Sequence, residues 1–164
     1  MDLIDPLVDS AAVPAALTAQ RQRAHALIAK AAASRVAGLF EALDPRPQHV
    51  PIRPSDVGLL MVRGRVGGAG GAFNLGELPV ARAAVRLDDG AVGIGYVAGR
   101  DTAHAELAAL SDAMIQSSQW ADLLEAQVLA PLEVERAHRQ IDLGRKAAAT
   151  KVDFFTLVRT RSAP

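Results

Sequence analysis

At 164 residues the chain has the size of one domain, with room to bury a single core and too little length for two. Lysines and arginines number 18 and aspartates and glutamates 18, a balance that argues against binding nucleic acid or a membrane surface through bulk charge. With no cysteine, disulfides, an iron–sulfur cluster on thiolates and a thiolate zinc site are excluded.

Half of the residues are apolar but only 4% are aromatic, so the core must be built from Ala, Val and Leu. Such side chains each bury little area, and contact with partner subunits is expected to supplement the core. The amino terminus carries Asp2 and Asp5 and lacks both a basic leader and a long apolar run. The expectation is a cytoplasmic protein without signal peptide or membrane span.

Residues 1–13 read as a flexible extension of a single domain covering 1–164. From Pro14 to Leu43, apolar residues including Leu27, Ile28, Val36, Leu39 and Phe40 recur at helical spacing, which predicts one long amphipathic helix stopped by Asp44-Pro45. Prolines at 45, 47, 51 and 54 predict a linker over 44–55, because proline cannot donate to a central sheet ladder. Val57–Val62 reads as a strand buried on both faces. Leu78–Leu87 alternates, with Ala81, Ala83, Val85 and Leu87 on one side and Val80, Arg82, Ala84 and Arg86 on the other. Asp88-Asp89-Gly90 is a strong hairpin signal leading into a third strand with Val92, Ile94 and Tyr96.

Asp101 offers an N-cap for a helix whose stripe is Ala103, Leu107, Leu110 and Met114. A further helix runs from Trp120 to about Ala130, breaks at Pro131 and resumes to Thr150. Residues 151–164, with Phe154, Phe155 and Leu157, read as a segment that docks on the sheet or on a partner. The fold class is α+β: a small antiparallel sheet of three to four strands with a β-hairpin, flanked by alanine-rich helices at both ends.

The glycine-rich block from Arg63 to Glu77 is the segment most suited to chemistry. Gly67, Gly68 and Gly70 can turn backbone N–H groups toward an anion, and Arg63, Arg65 and Arg82 can fork onto phosphate oxygens. The block fits neither the Walker pattern nor the dinucleotide fingerprint, so an ordinary inter-strand loop is the competing reading. Asn74 suits a turn closed by its own side chain, and Glu77 suits an ion pair with Arg82 or Arg65, with general-base work as the alternative. His104 falls in the first turn of its helix, where the dipole favours the neutral imidazole. A surface position competes there with a role as acid, base or ligand, and no metal site is expected. The basic run from Arg136 to Lys151 reads as a solvated helix face. On the residues alone, a stand-alone phosphate- or nucleotide-binding module remains open.

The run Met61–Arg82, MVRGRVGGAGGAFNLGELPVAR, resembles the PhnG family of phosphonate C–P lyase subunits. Val92–Tyr96 with Gly99-Arg100-Asp101, then His104-Ala-Glu-Leu-Ala, then Ala147–Arg159, resemble the same family in order and spacing. The resemblance implies a core complex with PhnH, PhnI and PhnJ, two copies of each. It further implies that this complex transfers the ribose triphosphate moiety of ATP to methylphosphonate, displacing adenine and forming ribose 1-methylphosphonate 5-triphosphate. ATP would then be a substrate of the complex, with no cofactor on this chain. No catalytic residue carries over, and the implied role is mainly structural.

Overall fold

A computed structural model describes residues 14–151. The elements, in order, are α1 (Ala15–Ile28), α2 (Ala33–Glu41), β1 (His49–Arg65), β2 (Ala72–Leu87), β3 (Val92–Ala98), α3 (Thr102–Gln116), α4 (Ala121–Leu124), a π-helical turn (Glu125–Leu129) and α5 (Ala130–Ala149). The sheet has three strands in the order β1-β2-β3, antiparallel throughout. The α+β class and the sheet with flanking helices are therefore as the sequence predicts.

The β2–β3 hairpin forms where Asp88-Asp89-Gly90 places it. Gly90 takes φ +91, its N–H donates to Leu87 O (2.9 Å), and Asp89 Oδ1 accepts from Ala91 N (3.0 Å). The alternation in β2 also holds. Ala81, Ala83, Val85 and Leu87 are buried under α3, while Val80, Arg82, Ala84 and Arg86 face away from it.

Helix α3 lies unusually close to the strands. A Cβ on Gly93 would sit 2.0 Å from Ala109 O, and one on Gly95 would sit 2.1 Å from Ala105 O. Ala105, Ala109 and Ala113, four residues apart, form the face that makes this approach. Of the predicted stripe, Leu110 and Met114 are buried, Leu107 is half-buried and Ala103 is exposed; the rest of the buried surface of α3 is the alanine face on the sheet, with α1 and α2 packed elsewhere. Asp101 caps it as expected, accepting from His104 N (2.9 Å).

Several boundaries differ from the sequence reading. The first helix is two, separated at Ala29–Ala32: α1 buries Ala24, Leu27 and Ile28, and α2 buries Val36, Leu39 and Phe40. The linker predicted over 44–55 is shorter, because β1 begins at His49 and contains Pro51 and Pro54. The strand tolerates them because β1 is an edge strand and its register slips between Pro51 and Arg53 and again between Arg53 and Asp56. Pro131 does not end its helix: a π turn over 125–129 absorbs the missing donor, and the helix runs on into α5. From Arg136 to Lys151 every residue is exposed, in agreement with a solvated basic face.

Val57–Val62 is a strand, but the expectation of burial on both faces is overturned. The β3 ladder ends at Val80, with one last bond from Gly99 N to Pro79 O (2.8 Å), and beyond it β1 and β2 leave the body as a two-stranded ribbon. Leu59 is 65% exposed and Leu60 59%, with Met61, Val66, Phe73, Leu75 and Leu78 also exposed.

Candidate functional site

The glycine-rich block forms the tip of this ribbon. Gly67 (φ +58) and Gly68 (φ +79) turn the chain between β1 and β2, and Gly70 N donates back to Val66 O (2.9 Å). A Cβ on Gly70 would meet that same carbonyl at 2.5 Å, so glycine is required there by the turn itself. The N–H of Gly70 is consumed in closing the turn and does not point outward as an anion donor. Arg63, Gly64, Arg65, Gly68 and Ala72 line a shallow open depression, across which Arg65 Nη1 donates to Gly70 O (3.3 Å).

The third arginine of the candidate set is elsewhere. Arg82 faces Asp56 across the strands and forks onto it (Nε–Oδ1 2.6 Å, Nη2–Oδ2 3.0 Å), with Arg53 joining from the same strand. From the Asp56 level to Arg63 is about 23 Å of strand. One phosphate group therefore cannot be shared by Arg63, Arg65 and Arg82 in this arrangement. Glu77, expected to pair with Arg82 or Arg65, instead stands opposite Met61 and has no ion pair among the described residues. Asn74 does not make a turn. It is a ladder residue opposite Arg63, and the pairing slips between Val62 and Arg63, leaving Leu75 as the extra residue of a bulge.

His104 is not on the surface. It is 5% exposed, and its Nε2 lies 2.9 Å from Ile28 O. A carbonyl only accepts, so Nε2 carries the proton and the ring ties α3 to the end of α1. That bond removes Nε2 as a base or ligand. Among the described residues no group of three or more His, Asp or Glu is placed to hold a metal ion. Phe154, Phe155 and Leu157 lie outside the described residues.

Two arrangements carry no local sequence signal, because their members are far apart in the chain. One is a groove of about 320 Å³ between α2, the 42–48 connection and α3, where His49 Nε2 lies 3.3 Å from Glu106 Oε1. The other closes the free edge of β3. Asp112 receives a bidentate pair from Arg21 (2.7 and 2.8 Å) and also accepts from Ile94 N (2.9 Å). Tyr96 N donates to His25 Nε2 (3.1 Å), and Gln116 Nε2 donates to Val92 O (2.7 Å). Side chains thus satisfy Ile94 N, Tyr96 N and Val92 O, three of the outward backbone groups that an edge strand normally leaves open.

Exposed ion pairs shape the acid response. The Arg82 guanidinium holds the Asp56 carboxyl below its ordinary range, with Arg53 adding to the effect, and Arg23 does the same for Glu133. Ser117 and the Ala91 N–H lower Asp89 likewise. A carboxyl whose folded pKa lies below its unfolded value contributes stability that is complete above the unfolded pKa, near 4, and is lost as pH falls through the folded one. The melting temperature is therefore expected to fall progressively below about pH 4, and Asp56→Asn should make that acid limb shallower. A superimposable limb in the variant would remove Asp56 from the account.

The molecule so described is a small α+β protein with an uncovered apolar ribbon. Residues 19–160 match the family model described as phosphonate metabolism protein PhnG. A relative from Rhizobium meliloti (strain 1021), the alpha-D-ribose 1-methylphosphonate 5-triphosphate synthase subunit PhnG, is 44% identical over 144 residues, covering 86% of this chain and 90% of its own length. The chain belongs to the PhnG family, and its role lies in phosphonate metabolism.

Proposed function

We propose that the chain is a structural, non-catalytic subunit of a phosphonate C–P lyase assembly, acting with PhnH-, PhnI- and PhnJ-type partners in two copies each. The assembly would transfer the ribose triphosphate moiety of ATP to methylphosphonate, form ribose 1-methylphosphonate 5-triphosphate and release adenine. The observation that carries this reading is the 44% identity with a synthase subunit of that name over nearly the whole chain. The ribbon supports a structural role, since a contiguous exposed apolar surface is ordinarily covered by another chain. Phe154, Phe155 and Leu157 would add a second contact.

The test is co-expression of the tagged chain with the three partner subunits from the same genome, followed by measurement of the intact mass and of adenine release. The parent should recover a stoichiometric, active complex. Leu60 and Leu78 stand opposite each other on the ribbon, and the double variant Leu60→Asp, Leu78→Asp should recover at least about 10-fold less partner, equivalent to about 1.4 kcal/mol of interface free energy. A parent that captures no partner overturns the proposal. The isolated chain should give no binding heat with ATP, and a clear isotherm would instead favour the stand-alone nucleotide-binding module.

A further inference from the structure

The two edges of the sheet are treated differently. The β3 edge is closed by His25, Asp112 and Gln116. The body end of β1 carries Pro51 and Pro54, which have no N–H to offer and interrupt the register. From Val57 to Arg65 neither device is present: the strand holds no proline, pairs regularly with β2 as far as Val62, and its outward backbone groups have no hydrogen-bond partner among the described residues. From Leu59 to Arg65 the ribbon has only two strands, the β3 ladder ending at Val80, opposite Gly58. Two strands without a third, or a helix against them, are marginal in water. The β2 edge opposite is a poorer template, being broken by Pro79 and by the bulge at Leu75.

We propose that β1 accepts an extended strand of a partner subunit along Val57–Arg65, completing a three-stranded ribbon by β-strand addition. This rests on the assembly reading above and names the mode and place of contact. The incoming strand is apolar where it meets Val57–Val62 and acidic where it meets Arg63 and Arg65. Neither arginine has an acidic partner among the described residues, and they leave the distal end of the edge cationic. Other occupants fit less well. A second copy brings Asp56 as its one carboxylate within the matching stretch, and that group is already held by Arg53 and Arg82. Residues 152–164 of the chain itself carry Asp153 against Arg159 and Arg161, which is the wrong balance of charge.

Hydrogen exchange on the full chain, alone and in the co-expressed complex, tests this. Amides of 57–65 that point away from β2 should exchange quickly in the free chain and at least about 10-fold more slowly in the complex, the signature of new backbone hydrogen bonds. Leu59→Pro and Leu60→Pro remove one inward and one outward N–H between them. The outward variant should keep the parent melting temperature and lose assembly. Unchanged exchange in an intact complex, with both proline variants assembling at the parent level, overturns strand addition and leaves the assembly reading standing. Failure of the parent to assemble overturns both. Protection of 57–65 already present in the isolated chain assigns the edge to a second copy if the mass is dimeric, or to the chain's own segment if monomeric, and either result overturns the partner assignment.

Discussion

Gly95→Ala is expected to destabilise the fold by about 3 kcal/mol, the upper part of the range for overpacking a filled core. The added methyl would lie 2.1 Å from Ala105 O and 2.5 Å from Ala109 N. Both are backbone atoms of α3, so no side-chain rotation relieves the clash and the whole helix must lift from the sheet. Lifting it also opens gaps beneath Ala105, Ala109 and Ala113, which lose their contacts with β3. For a chain of this size the melting temperature should drop by roughly 6–12 °C. Gly93→Ala should behave alike, since its methyl would meet Ala109 O at 2.0 Å and Ala113 N at 2.3 Å. Gly71→Ala is the control, with no atom within 4 Å of the new methyl and no positive φ to strain. Thermal denaturation separates the cases, and a Gly95→Ala protein that melts with the control would mean that the close approach of α3 to β3 is not needed for stability.

These glycines also show what was legible in the sequence. Alternation in Leu78–Leu87 and the Asp-Asp-Gly turn are local signals, and strand, hairpin and buried face all followed from them. Periodicity marked α3 as a helix and placed Leu110 and Met114 inside, but missed its sheet-facing side, because three alanines against two glycines form a tight interface that hydrophobicity alone underrates. Pro51 and Pro54 spoke against a strand because the sequence does not say which strands are edges. The apolar run Val57–Val62 spoke for burial because the sequence gives composition and not the partner that covers it. The candidate site fared unevenly for the same reason. Arg63 and Arg65 do lie together at the glycine turn, whereas Arg82 is drawn away by Asp56, a residue 26 positions earlier that no local motif links to it. The resemblance to the PhnG family, carried by the long glycine block and the segment ending at Arg159, survived where the local chemistry did not.

Asp112→Ala should cost about 3 kcal/mol, the lower end of the range for removing one member of a buried ion pair, since Arg21 retains some access to water. The side chain of Asp112 is 6% exposed and that of Arg21 29%. Truncation strands the guanidinium of Arg21 and also leaves the Ile94 N–H without an acceptor, so three donors, Arg21 Nε, Arg21 Nη2 and Ile94 N, lose their partner in one step. Asp112→Asn should cost less, because its amide oxygen can still accept from Ile94 N while the charge is lost. In a double-mutant cycle with Arg21→Ala, the two single losses should exceed the double loss, the mark of direct coupling. The larger consequence concerns the sheet. With Asp112 gone, the β3 edge acquires an open N–H beside Val92, Ile94 and Tyr96, all exposed apolar side chains, and becomes a second template for strand pairing. The variant should therefore self-associate on warming at a concentration where the parent stays monodisperse. An Asp112→Ala protein that melts within about 1 °C of the parent, well under the shift 3 kcal/mol implies, and stays monodisperse would show that this carboxylate neither binds α1 to α3 nor guards the edge.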